Sequence, residues 1–299
     1  MTLPNFLVIG AGRSGTTSLA EYLKQHPDVY IPAVKAPSHF FCQGMERIDD
    51  PYLRLVTRNY FVPDPKAYEA LFDGVRSEKA IGEVSPAYLA TVHAAPRIAR
   101  RLPGVRLIAV LRNPVDRIYA RFVARRRDGL ERRSDLAGIL REERARPLVR
   151  DDAFGSYFAG GFVGHYLRTY FDHFPREQIR VHLFEDLERD SAAVTADVFE
   201  FLEVNPSFVP DTRTRHNRSG GVIKNRLART IWTRSALARA VVRPYLPASL
   251  RDAVFSAFTG SLEPMPLDPK FRIELGELYR PDIETLQDLL GRDLSHWLE

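Results

Sequence analysis

The chain reads as an α/β fold: a P-loop-like central parallel sheet with helices on both faces and a helical C-terminal part. Three features predict it. The apolar run Phe6–Gly10 (FLVIG) ends in glycine and feeds a loop and then a helical pattern. Strand-like and helix-like segments then alternate as far as residue 202. Beyond that point the apolar residues fall at helical spacing, with no clear strand among them.

Taken in order, residues 16–26 place Leu19, Tyr22 and Leu23 on one helical face until Pro27 stops the pattern. Ala80–Val84 (AIGEV) reads as a strand and residues 94–102 as a helix closed by Pro103. Residues 105–111 (VRLIAVL) read most clearly as a buried strand, and residues 115–127 as a helix behind Pro114. Residues 178–184 (QIRVHLF) are a further strand, between helical patterns at 162–174 and 191–202. Continuous rather than alternating apolar character implies strands covered on both faces, as in a parallel sheet. The last third offers helices at 226–242, 250–258 and 271–290, preceded by a polar, glycine-rich stretch at 210–226 that is either a surface linker or a lid over an anion. The basic, amphipathic helices of 226–258 are expected to turn their apolar stripe to the core, a membrane surface being the alternative. Motif order predicts a single domain over residues 1–299.

Composition narrows the classes. Apolar residues make up 44% and charged residues 27% of 299, ordinary for a folded chain. No apolar run approaches the roughly 20 residues of a membrane span, and no basic segment with an apolar stretch opens the chain, so a cytoplasmic protein without a transmembrane segment is expected. Cys42 is the single cysteine, and the eight histidines are scattered, so neither a disulfide nor a metal site is expected. The net charge of +5 and the run ARFVARRRDGLERR come without a recognised nucleic-acid module. Nucleic acid is therefore not expected as a partner, whereas an anionic small ligand, or a solvated helix face, accounts for the excess.

The loop carries the chemistry. A triphosphate-binding loop reads G-x-x-x-x-G-K-[ST], its lysine reaching the terminal phosphates. Here the string is GAGRSGTT, with Thr16 in the lysine position and the cation moved to Arg13. Glycines at Gly10, Gly12 and Gly15, hydroxyls at Ser14, Thr16, Thr17 and Ser18, and a helix N-terminus suit one 5′-phosphate. Arg112 closes the strand at 105–111 and so falls on the same sheet edge, unless a salt bridge claims it. The two motifs together suggest a nucleotide with phosphates at two places.

In these residues the chain resembles the sulfotransferases that use 3′-phosphoadenosine 5′-phosphosulfate (PAPS), particularly bacterial members similar to the heparan-sulfate type. The matching pieces are GAGRSGTTSLAEYLKQHP, KAPSHFF, GEVSPAYL, LRNPVDRIYARF, FPREQIRVHLFEDL, RHNRSGG and DIETLQDLLGRDLSHW, in family order along nearly the whole chain. The first and fourth are specific as a pair; the others are weak alone. The resemblance implies that the loop at 12–18 (Gly12, Arg13, Ser14, Gly15, Thr16, Thr17, Ser18) binds the 5′-phosphosulfate and Arg112 the 3′-phosphate. It implies that residues 216–226 close over the nucleotide, with Arg218 or Lys224 as an extra cation. PAPS would be the co-substrate, no metal would be needed, and the acceptor would be a hydroxyl or amine on a carbohydrate, lipid or small metabolite. Lys35 would stabilise charge near the transferred group.

Three departures matter. Similar enzymes carry Lys-Glu-Pro, with glutamate the proposed base, where this chain has Lys35-Ala36-Pro37. His39 or Glu83 then stands in as base, unless His39 is merely packed and Glu83 merely paired with an arginine. Ala120 replaces a serine that helps hold the 3′-phosphate, and Val84 replaces a lysine of some relatives. Besides the active sulfotransferase, two readings stay open: a catalytically impaired relative that still binds the bisphosphate nucleotide, and a P-loop phosphotransferase, disfavoured by Thr16. The acceptor would be lined by residues 45–64, 125–150 and the C-terminal helices, the parts matching the family least. Neither the acceptor nor the oligomeric state is specified.

Overall fold

The computed structural model describes residues 2–33, 38–42, 62, 64–145, 156–213, 221–235, 238, 242, 246–247, 250, 257, 262–263 and 265–299. Lys35, Ala36 and Arg218, and most of the expected helices after residue 235 and up to 258, lie outside these residues.

Five strands form one parallel sheet: β1 (Phe6–Gly10), β2 (Val29–Tyr30), β3 (Ala80–Val84), β4 (Arg106–Leu111) and β5 (Ile179–Leu183), in the order β2-β3-β1-β4-β5. Register pairs Leu7 with Glu83 on one side of β1 and with Leu107 on the other. Side chains alternate between two cores, because successive residues of a strand point to opposite faces. Leu7, Ile9, Leu107, Ala109 and Leu111 join one buried cluster; Phe6, Val8, Ile108 and Val110 join the other. This two-sided burial is why the strands read as unbroken apolar runs.

Helix α1 (Thr16–Leu23) covers the second face through Leu19, Tyr22 and Leu23. Pro65–Glu69 forms α2, Ala94–Arg101 forms α3 and Pro114–Asp128 forms α4. Next come α5 (Leu136–Ala145), α6 (Tyr157–Gly160), α7 (Val163–Phe171), α8 (Phe184–Arg189) and α9 (Ser191–Phe201). The chain continues through α10 (Arg226–Arg234) to α11 (Pro269–Leu290). α9 joins α1 on the second face, while α3, α4, α7 and α11 build the first. The buried carboxylate of Asp282 on α11 accepts the backbone N–H of Gly164 and His165, each at 2.8 Å, locking α11 to the start of α7.

Two expectations need correction. The last third does hold strands: β6 (Val222–Ile223) pairs antiparallel with β7 (Leu262–Glu263). β6 also falls inside the segment 210–226 expected to be irregular. Both residues of β6 are buried, and their partner lies about forty positions on, so no local pattern announces the pairing. The apolar stripe expected to face the core does so in α10 only at Trp232; Leu227 and Ile231 are exposed.

Candidate functional site

The strand order puts a topological switch between β1 and β4, since the chain leaves β1 towards β2 and leaves β4 towards β5. Such a switch opens a crevice at the carboxyl ends of the two strands, where ligands of open α/β sheets bind. The glycine loop leaves β1 there, and Arg112 follows the last residue of β4.

Two of the loop glycines answer to the protein itself. Gly15 stands at φ 87°, and a Cβ on it would lie 2.8 Å from Leu187 Cδ2. A Cβ on Gly10 would lie 2.6 Å from Leu89 Cβ. Gly12 is different, because a Cβ there would meet nothing closer than Pro86 Cβ at 4.0 Å. Its glycine has no packing reason, and a ligand approaching the backbone supplies one.

The N-terminus of α1 points into this crevice without a side-chain cap and without an acidic residue in its first turn. The leading N–H groups of a helix have no intrahelical acceptor and carry the positive end of its dipole. Ser14 is fully buried and its Oγ has no hydrogen-bond partner among the described residues, an orphan of the kind that a bound anion satisfies. Thr16 and Ser18 are also buried, while Thr17 is exposed.

Arg13 and Arg112 meet at this end of the sheet. Arg112 Nη1 donates to the carbonyl of Arg13 at 3.3 Å, and its guanidinium lies 4.5 Å above the ring of Phe184 at the start of α8. The nearby acid Asp116 is engaged by Arg272 at 2.5 Å, so the salt bridge considered for Arg112 does not form among the described residues. Burial pushes Arg13 down to about 10, with Arg127 and Arg112 adding repulsion and Asp128 opposing it. Arg112 shifts down for the same first reason. Arg117, one turn into α4, is buried and held down to about 10 by desolvation, and its Nε and Nη2 have no hydrogen-bond partner. Burial is the leading cause at all three arginines, outweighing the nearby carboxylates, and cations held partly out of water favour a bound anion.

Glu83 sits at the end of the neighbouring strand, 4% exposed. Tyr88 donates to its Oε1 at 2.6 Å and Tyr68 at 3.0 Å, while Ser38 donates to Oε2. Burial raises its pKa, and the hydroxyl donors act against that rise. The arginine pairing weighed for Glu83 is thus not its arrangement; hydroxyls hold it. Ser38 Oγ also accepts the backbone N–H of Phe40 at 3.3 Å, so the carboxylate anchors the segment carrying His39. His39 is buried at φ 49°, and desolvation pushes it down to about 4, which leaves it neutral at pH 7. Phe40 stacks on Tyr68 at 4.2 Å.

Several members of the site carry little sequence signal. Phe184 and Arg127 are ordinary until the fold brings them to Arg112 and Arg13. Asn113 caps α4: its Oδ1 accepts the N–H of Val115 at 2.9 Å, while its Nδ2 donates to the Trp297 carbonyl at 2.9 Å. Trp297 Nε1 in turn donates to Glu185 at 2.8 Å, which straps the C-terminal motif across the ends of β4 and β5. Lys224 is exposed just beyond β6 and makes no contact with the loop among the described residues. A cavity of about 320 Å³ at the outer edge of β5, lined by Phe171, Val181, Phe201 and Leu290, shares no residue with this cluster.

Comparison with known proteins agrees with the geometry. A sequence model of the sulfotransferase family matches residues 4–207. The crystal structure of a sulfotransferase from Alicyclobacillus acidocaldarius is similar over 100% of both chains, with a TM-score of 0.77 and 32% identity. Human heparan sulfate glucosamine 3-O-sulfotransferase 3B1 is 28% identical over 222 residues, covering 73% of this chain and 50% of its own. The membrane-associated sulfotransferase kil1 of Dictyostelium discoideum is 31% identical over 125 residues, 41% of this chain and 23% of its own. The chain thus spans a quarter to a half of the length of these curated relatives.

Proposed function

Because this chain belongs to the sulfotransferase family, whose members take their sulfuryl group from PAPS, we propose that it moves that group to a hydroxyl or amine of a carbohydrate, lipid or small metabolite. The observation that carries the assignment is the meeting of Arg13 and Arg112 across the β1/β4 switch, at an uncapped helix N-terminus. In this reading the free N–H groups at the start of α1, Arg13 and the orphaned Ser14 hydroxyl hold the 5′-phosphosulfate, and Arg112 holds the 3′-phosphate. Lys35 and Arg218 are the further cations proposed from sequence; Lys224 joins them only if its exposed side chain reaches the nucleotide.

The reaction breaks the bond between sulfur and the bridging oxygen of the 5′-phosphate and forms one from sulfur to the acceptor oxygen or nitrogen. The bridging oxygen gains charge as the bond breaks, so fixed donors placed there favour the transition state over the ground state. Arg13 and the α1 amides supply such donors. The acceptor proton passes to a base, for which we propose His39, since Glu83 is enclosed by hydroxyl donors; the lowered pKa of His39 makes it a weak one. Glu83 we assign to positioning: sealed in by hydroxyls, it holds Ser38 and thereby His39 and the aromatic pair.

The impaired-binder reading is favoured by Ala36 and by Ala120, which is buried where relatives offer a serine hydroxyl to the nucleotide. No helix among the described residues is long and apolar enough to cross a membrane; we propose a cytoplasmic setting and no nucleic-acid partner. Thermal-shift titration with adenosine 3′,5′-bisphosphate against ATP with magnesium tests the site. Stabilisation by the bisphosphate alone is expected; a response to ATP alone overturns it. Sulfate transfer from PAPS, assayed before and after Ala36→Glu, then separates the two readings, since activity gained only by the variant identifies an impaired chain.

A further inference from the structure

Residues 212–251 contain ten of the chain's 43 Lys and Arg and none of its 38 Asp and Glu, so the remainder of the chain is net acidic at −5. The stretch lies beyond the residues matched by the family model, 4–207. Within it α10 presents two different apolar faces. Trp232 is 6% exposed and packs inward, whereas Leu227 and Ile231, one turn apart, are 76% and 58% exposed. Lys224 and Arg234 flank them in solvent, and Arg229 lies 3.6 Å from Glu263. Val242 and Leu250, further along the same acid-free stretch, are also exposed, at 46% and 48%.

Exposed leucine and isoleucine at helical spacing, bordered by Lys224 and Arg234 and with the one acid beside them, Glu263, already paired to Arg229, suit a partner that is apolar beneath and negative at its rim. We propose that this face of α10 seats on an anionic membrane surface, the Leu227 and Ile231 side chains entering the boundary between headgroups and acyl chains while the neighbouring cations meet lipid phosphate. A second copy of the chain fits worse, because the acid-free stretch would then face itself. A polyanionic carbohydrate would use the cations and leave the two aliphatic side chains in water. Lys224 apart, the inference uses no residue assigned to the nucleotide site, and its test does not need the catalytic reading to hold.

The test is co-sedimentation of the full chain with phosphatidylcholine vesicles, with and without phosphatidylglycerol. Binding is expected on the anionic vesicles only, and is expected to weaken as salt shortens the screening length. Leu227→Gln/Ile231→Gln should lower partitioning at least tenfold, and Arg234→Gln by about fivefold, the equivalent of one surface cation. Leu227→Ala/Ile231→Ala, which keeps helix propensity, should act in the same direction, and an unchanged far-ultraviolet circular dichroism spectrum and thermal midpoint without ligand certify the fold of each variant. The proposal is overturned by equal binding to neutral vesicles, by no binding to anionic ones at low salt, or by binding undiminished in the folded double variants. A dimer in solution that either double variant dissolves would overturn it as well.

Discussion

The carboxyl ends of β1 and β3 lie side by side, paired in register at Leu7 and Glu83, yet they are built in opposite ways. At β3 a buried charge comes with its own complement, since Ser38, Tyr68 and Tyr88 all donate to the Glu83 carboxylate. At β1 the complement is partial: Asp128 acts on Arg13, and Asp116, Glu188 and Glu185 act on Arg112 from a distance. Arginines are partly desolvated, a helix begins without a cap and a buried hydroxyl has no partner. A buried polar group is tolerated when it is satisfied, so an end left unsatisfied is one completed by a ligand. The contrast separates residues that build the site from residues that bind in it.

The sharpest way to break this comparison is Glu83→Ala. Removing the shared acceptor strands three buried hydroxyls and leaves a cavity, and should cost about 3 kcal/mol of stability, read as a lower urea midpoint. A variant as stable as the parent would mean that the carboxylate is not structural. Arg112→Ala should do the reverse. Adenosine 3′,5′-bisphosphate affinity by calorimetry should fall by about 1.5–3 kcal/mol, roughly 10- to 100-fold, for the loss of one charged hydrogen-bond partner. Stability should hold, because a desolvated cation beside Arg13 has been removed.

The glycines sharpen the same line within a single loop. Gly15→Ala forces a side chain at positive φ against Leu187 and should cost about 2 kcal/mol of stability. Gly12→Ala should leave stability within about 0.5 kcal/mol, since its methyl meets nothing closer than Pro86, while weakening the nucleotide if the proposed site is right. Unchanged affinity in Gly12→Ala would remove the loop from the site. The smallest effect is a slope with pH. Burial raises the folded-state pKa of Glu83 above its ordinary 4.5, so the native chain holds that proton more tightly than the unfolded one. Its contribution is therefore fullest below pH 4.5 and declines as pH rises towards the raised value. Stability of the parent minus that of Glu83→Gln, followed by urea unfolding across this range, should fall with pH; a rising difference would contradict the sign.

Much of this was readable before any coordinates. Four of the five strands of the main sheet were expected within a residue or two, because burial on both faces writes itself as unbroken apolar runs. Arg13 and Arg112 were placed at one edge from motif position alone, and the coordinates bring them to a 3.3 Å contact. β2 escaped notice because two residues carry no period, and β6 with β7 because their pairing spans about forty positions. Glu83 reads from sequence as a base or an arginine's partner; hydroxyls of Tyr68, Tyr88 and Ser38 hold it instead of an arginine, an approach no spacing rule encodes. The inward face expected of α10 was half right: its periodicity is real, but periodicity does not say which stripe meets the core.

The sequence by itself determined four strands of the main sheet and the helices at 16–23, 94–101, 114–128 and 191–201, the loss of the triphosphate lysine and the presence of two arginines at strand ends, because apolar period, glycine and charge are local properties. Only the tertiary structure decided that Gly15 is held by packing while Gly12 is left open, that Glu83 is enclosed by hydroxyls, and that Leu227 and Ile231 face outward. Each of these depends on which distant side chain arrives next to it, and burial belongs to the neighbours as much as to the residue.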